Sequence, residues 1–195
     1  MHRICVFAGS NVGVRPEYAE AASTLGRELV KRGLGLVYGG ASVGLMGVIA
    51  DTMLSEGGEV IGVLPHGLFL RELPHKGLTE VHEVASMHER KALMADLADG
   101  FIAIPGGFGT FDELFEIVTW AQLGLHNKPV GVLNVAGYFE PLQALIQHAS
   151  REGFIPRVHL SLLLFEDDPN LLLDHFAHYR VSDTTPKWAE LPPER

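Results

Sequence analysis

Residues 101–123 read FIAIPGGFGTFDELFEIVTWAQL. The run Phe101–Ile104 is apolar throughout, without the polar alternation of a strand that faces water on one side. It predicts a short strand covered on both faces. Pro105-Gly106-Gly107-Phe108-Gly109-Thr110 follows as a glycine-rich loop, and Phe111–Leu123 predicts a helix. Strand, loop and helix together make one βα unit.

The same order recurs along the chain. Strands are predicted over Ile4–Ala8, Leu36–Tyr38, Val60–Leu64, Val130–Asn134 and Leu162–Phe165. Helices are predicted over Glu17–Arg32, Val43–Glu56, Met87–Ala98, Phe139–Glu152 and Asn170–His178. Such alternation closes through right-handed crossovers. The expected fold class is therefore α/β: a single-domain, Rossmann-like, doubly wound and mainly parallel sheet with helices on both faces. Two helices carry the S/T-x-x-E form of a capping box, Ser86–Glu89 and Thr110–Glu113. The segment Pro65–Pro74 breaks the rhythm, and a long loop in a compact domain predicts a functional one. Residues 1–180 are expected to form one Rossmann-like domain. The proline-containing residues 181–195 are expected to be a flexible C-terminal tail.

Composition narrows the function. The 195 residues carry 15 Lys+Arg against 24 Asp+Glu, a formal charge of −9. A nucleic-acid binder needs a basic face to displace counterions, so none is expected as a partner. No apolar run reaches the length of a membrane span, so no membrane association is expected. Cys5 is the one cysteine. It reads as a small core residue, and a chain without disulfides or an export signal fits the cytoplasm.

In open parallel sheets ligands gather beyond the carboxyl ends of the strands. Three predicted βα loops there are rich in glycine: Ala8–Gly13, Gly39–Gly47 and Pro105–Thr110. Glycine admits a ligand close to the backbone, and a helix N-terminus offers free N–H groups and a partial positive charge. An anion, above all a phosphate, suits such loops. Neither G-x-G-x-x-G nor a Walker A sequence is present, so the dinucleotide and P-loop readings fail. Gly40-Ala41-Ser42-Val43-Gly44 fits the G-x-S-x-G nucleophile elbow, but on an early strand of a short chain it reads as turn chemistry. The histidines are scattered without ligand spacing and read as surface residues; no metal and no cofactor are expected.

Two residues stand out. Arg90 shares a helical stripe with Leu93, Met94 and Leu97, so its guanidinium falls on the buried face. With Lys91 it also lies near a helix N-terminus, where cations oppose the macrodipole, so an anionic partner is expected. Glu113 admits two roles. It can complete the Thr110 capping box, or it can face a ligand on the glycine loop and stabilise a ribose as its anomeric carbon turns cationic.

Pro105-Gly106-Gly107-Phe108-Gly109-Thr110-Phe111-Asp112-Glu113 resembles the PGGxGTxxE signature of the Lonely Guy family, the cytokinin riboside 5′-monophosphate phosphoribohydrolases often mislabelled lysine decarboxylases. Met87-His88-Glu89-Arg90-Lys91 is similar to that family's M-x-x-R-K element. Val37–Gly47 is similar to its VYGGGSVGLMG loop, with Ala41 in place of a glycine. The resemblance covers about Ile4 to Pro156. It implies hydrolysis of the N-glycosidic bond of an adenine-type nucleoside 5′-monophosphate to free base and ribose 5-phosphate. It also implies a homodimer. By this resemblance Arg90 and Glu113 are the catalytic pair. Substrate contacts fall on Glu72, Arg90, Lys91, Gly107, Phe108, Gly109, Thr110, Phe111, Asp112, Glu113 and Thr119. A non-catalytic nucleotide or cofactor carrier of the same fold is the alternative. It would keep the loops but need no carboxylate at position 113.

Overall fold

A computed structural model describes residues 1–66 and 75–180. Its elements run β1 (Arg3–Phe7), α1 (Pro16–Lys31), β2 (Gly35–Tyr38), α2 (Gly44–Ser55), β3 (Val60–Pro65), β4 (Glu80–Val84), α3 (Met87–Leu97), β5 (Gly100–Ala103), α4 (Phe108–Gln122), β6 (Val130–Leu133), α5 (Glu140–Arg151), β7 (Leu164–Glu166) and α6 (Pro169–Ala177). The seven strands form one sheet in the order β4-β3-β2-β1-β5-β6-β7. Every pairing is parallel.

The central strands are buried along their whole length, as their unbroken apolar runs require. Helices α1, α2 and α6 cover one face, packing Leu25, Leu29, Ile49, Met53 and Phe176 against Ile4, Leu36 and Ile102. Helices α3 and α4 cover the other, where Met94, Leu114 and Ile117 meet Cys5, Val37, Phe101 and Val132. Cys5 is fully buried there, and burial pushes its thiol well above the ordinary range. That leaves it a packing residue. The chain adds strands outward from β1 to β4, then crosses back to lay β5 on the other side of β1. The loops after β1 and β5 therefore diverge to opposite faces, and the crevice between them is where a ligand fits.

Three differences from the sequence reading have physical causes. Strand β4, EVHEV, was not expected, because an edge strand with exposed charges lacks an apolar run. Helix α4 begins at Phe108 rather than Phe111, since extended Gly107 is its N-cap. Thr110 therefore lies inside the helix, buried, and the Thr110–Glu113 capping box does not form. The other helix start is capped: the Ser86 hydroxyl accepts from Glu89 N at 3.1 Å, while Glu89 Oε2 reaches back one residue beyond the cap to accept from Ala85 N at 2.8 Å. His159 is buried rather than at the surface, its ring bonded to the Gln122 amide. Most of the Pro65–Pro74 segment, with Glu72, and residues 181–195 lie outside the described residues.

Candidate active site

At the carboxyl edge of the sheet a cleft of about 180 Å³ is lined by Ala8, Gly9, Ser10, Met46, Arg90, Gly107, Phe108, Gly109, Thr110 and Glu113. A larger hollow at the opposite edge, about 610 Å³, has Arg3, Glu59 and Asp99 on its walls. Those charges are already committed. Arg3 holds Glu59 at 2.8 and 3.0 Å, and Asp99 accepts from the backbone of His2 and Arg3. The smaller cleft carries uncommitted groups.

Those groups begin with the backbone of the β5–α4 turn. Among the described residues no carbonyl or side chain accepts from the N–H of Gly107, Phe108, Gly109 or Thr110. Four such donors at a helix N-terminus can receive an anion. The β2–α2 loop is different. The α2 N-terminus is occupied, because Leu45 N donates to Gly9 O at 2.9 Å. The carbonyls of that loop also serve structure: Gly40 O accepts from His75 N at 3.0 Å, and Gly39 O accepts from Arg90. The nucleophile-elbow pentapeptide, whose Gly40 O accepts from His75 N, follows directly on the Gly39 carbonyl that holds Arg90.

Arg90 is buried on α3, as its place on the Met94 stripe predicts. Its Nε donates to Val63 O at 3.0 Å and its Nη2 to Gly39 O at 3.1 Å. These bonds fix the plane of the guanidinium and leave Nη1 turned toward Glu113, 3.9 Å from Oε1. That separation is too long for a hydrogen bond. The position depends on the absence of a side chain at Gly39, where an added Cβ would stand 2.0 Å from Arg90 Nη2.

Glu113 stands one turn into α4 with its side chain 12% exposed. Burial pushes its pKa up from 4.5 to about 7, and the Arg90 charge offsets only part of that. Asp112 and Glu116 push in the same direction as burial, and Lys91 against it. At neutral pH this carboxyl is poised between its two forms, the condition in which a side chain can exchange a proton or carry charge on demand.

The remaining residues assigned by resemblance divide into two groups. Gly107, Phe108, Gly109 and Thr110 line the cleft with Arg90 and Glu113. Lys91 lies beside it, with Nζ 3.0 Å from both Asp112 and Glu116. Asp112 is exposed and points at that lysine, and Phe111 packs inward against the Phe139 ring. Thr119 is exposed two turns further along α4, and its hydroxyl donates to Phe115 O at 2.7 Å. The described chain does not bring Thr119 into its own cleft. Sequence reasoning missed Ser10 and Met46 as individual wall residues, though both lie in glycine loops it singled out.

The profile of a family described as "possible lysine decarboxylase" matches residues 46–176. A probable cytokinin riboside 5′-monophosphate phosphoribohydrolase from Oryza sativa subsp. japonica is 57% identical over 153 residues, 78% of this chain and 69% of the rice protein. A cytokinin riboside 5′-monophosphate phosphoribohydrolase from Arabidopsis thaliana is 56% identical over 78% of this chain and 70% of its own length. Among solved structures, the molybdenum cofactor carrier protein of Chlamydomonas reinhardtii superposes with a TM-score of 0.69 at 19% identity, covering 91% of this chain and 99% of that one. That likeness is one of fold alone. With the signature loop set beside Arg90 and Glu113, and with relatives above half identity over most of its length, the chain belongs to the Lonely Guy family of cytokinin riboside 5′-monophosphate phosphoribohydrolases.

Proposed function

We propose that the chain hydrolyses the N-glycosidic bond of adenine-type nucleoside 5′-monophosphates, N6-modified cytokinin nucleotides or AMP, to free base and ribose 5-phosphate. The observation that carries this is the sharing of one cleft by four unbonded N–H groups, a fixed guanidinium and a poised carboxyl. The 5′-phosphate sits on Gly107–Thr110 at the α4 N-terminus, where backbone donors need no rearrangement to receive it. Glu113, on the same helix one turn away, faces the ribose. In its ionised form it binds ribose hydroxyls and stabilises the positive charge that develops at the anomeric carbon. Arg90, held by two carbonyls, orients the phosphoribosyl group and Glu113. As the C1′–N bond breaks, its electron pair leaves with the base. Water supplies hydroxyl to C1′, and the water proton balances the departing base. Phosphate and carboxylate on one rigid turn supply a positioning effect.

The Arg90–Glu113 pairing favours catalysis over a non-catalytic carrier, for which a carboxyl titrating near neutrality beside the anion cradle has no use. The reading extends to a homodimer in the cytoplasm. Phe108, Asp112, Phe115 and Thr119 recur at helical spacing on the exposed side of α4, and the Phe108 side chain is 93% exposed. A second copy seated on that stripe would cover both phenylalanines and bring Thr119 near a cleft other than its own. A single buried cysteine without a disulfide suits a reducing compartment.

The test is chromatographic measurement of base release from AMP, N6-isopentenyladenosine monophosphate and the matching nucleosides. Release from the monophosphates alone is expected. Absence of release from every monophosphate would overturn the assignment. Sedimentation of the wild type and Phe115→Glu reads the dimer, and a monomeric wild type would remove it.

A further inference from the structure

A second cavity of about 190 Å³ shares Gly9, Ser10 and Gly107 with the cleft but has neither Arg90 nor Glu113 among its walls. Its walls include Tyr18, Leu45 and Tyr138 together with the backbone of Gly9–Gly13 and Pro105–Gly107. From there the Tyr138 hydroxyl donates to Gly106 O at 2.5 Å. The Gly106 carbonyl belongs to the same peptide unit as the Gly107 N–H. In a trans peptide the two point in opposite directions. A carbonyl gripped from the Tyr138 side therefore turns the Gly107 N–H away from that side, toward the cleft of Arg90 and Glu113.

This peptide needs a grip from outside. It is flanked by glycine on both sides, so no Cβ opposes rotation of its plane. Packing holds only its Gly106 end, close against Thr110 and the Gly9 backbone; at Gly107 an added Cβ would meet nothing within 4 Å. Tyr138, by contrast, is rigidly placed. Its ring stands edge-on to Tyr18 at 5.8 Å and to Phe139 at 4.9 Å. The backbone leading into it takes two successive left-handed residues, Ala136 (φ 51°) and Gly137 (φ 75°). Such a conformation is costly for alanine and persists where the surroundings impose it. Here Arg15 Nη1 donates to Ala136 O at 3.3 Å, and Asn134 Oδ1 accepts from Phe139 N at 2.7 Å.

We propose that Tyr138 is a positioning residue for the nucleotide phosphate: its hydroxyl locks the Gly106–Gly107 peptide plane so that the Gly107 N–H serves as a phosphate donor. The inference rests on the phosphate site proposed above and adds a residue that touches no substrate. Tyr138→Phe removes the hydroxyl and keeps the ring. Binding of ribose 5-phosphate is measured by calorimetry, adenosine by inhibition, and AMP turnover by base release. Loss of one donor to a charged oxygen weakens ribose 5-phosphate binding about tenfold or more and raises KM for AMP with kcat little changed. Adenosine, which lacks the phosphate, inhibits the variant and the wild type equally. Tyr18→Phe, which alters the same cavity without reaching Gly106, leaves all three readings at wild-type values.

Wild-type ribose 5-phosphate affinity in Tyr138→Phe would overturn the inference while leaving the proposed function intact. A wild type that neither binds ribose 5-phosphate nor releases base would overturn both. A titration that does not depend on the variant's folding follows the Gly107 amide of the wild type by nitrogen-15 NMR as inorganic phosphate is added. A marked shift at Gly107 is expected, and a silent Gly107 amide would overturn the inference.

Discussion

Replacing Glu113 with glutamine should abolish turnover and at the same time stabilise the protein at alkaline pH. The carboxyl titrates near 4.5 in the unfolded chain and near 7 in the fold, because burial disfavours its charged form. The folded state thus holds the Glu113 proton where the unfolded state has lost it, and stability falls as pH rises through that interval. At about 1.4 kcal/mol per pKa unit, the full difference is about 3 kcal/mol. It is absent below the unfolded value and complete above the folded one. Glutamine has nearly the same shape and no charge to bury, and Arg90 keeps its bonds to Val63 O and Gly39 O. Urea unfolding of both proteins at pH 5 and pH 8 isolates this one group, since other titrating groups cancel in the difference. The variant should gain about 2 to 3 kcal/mol on the wild type between the two pH values. A stability difference that does not change over that range would refute the claim that an ionised Glu113 is held against its desolvation cost.

Other expectations concern the same cleft. Arg90→Ala should lower base release about a hundredfold or more, read as kcat/KM by chromatography, because the cation facing Glu113 is gone. Gly39→Ala should lower activity at least tenfold with the fold retained. Its Cβ would displace the far end of Arg90 and press on Met46 Sδ, and Gly39 itself is not left-handed. The pH dependence of kcat/KM should show an acid limb near 7, since the reaction uses ionised Glu113. Asp112→Asn should move that limb down and Lys91→Met should move it up, because these charges act on Glu113 with opposite signs. Equal or same-direction shifts in the two variants would contradict the electrostatic account.

Much of the fold was legible from residues alone. Phe101–Ile104 and Val60–Leu64 are apolar without alternation because both faces of a central parallel strand are covered, so pattern and environment share one cause. Strand β4 escaped for the converse reason, since an edge position lets Glu80 and Glu83 remain in water. The start of α4 was misread because Thr110 and Glu113 spell a capping box whichever turn they occupy. Local spelling does not say that Gly107 already serves as the cap.

Arg90 was marked by the sequence through its stripe and its opposition to the helix dipole, both of which are local properties. What holds it was not legible. Val63 in β3 and Gly39 just after β2 reach it from 27 and 51 residues away along the chain, through carbonyls that every residue possesses. The poised state of Glu113 is likewise a property of its surroundings, because burial is set by how α3, α4 and the β1 loop close together. Tyr138 carries no motif at all. The sequence by itself determined which chemical groups this protein has and the periodicity that layers them. The tertiary structure decided which carbonyls bind the cation, which carboxyl is stripped of water, and which backbone N–H groups are left free, because those depend on contacts between residues that no local pattern links.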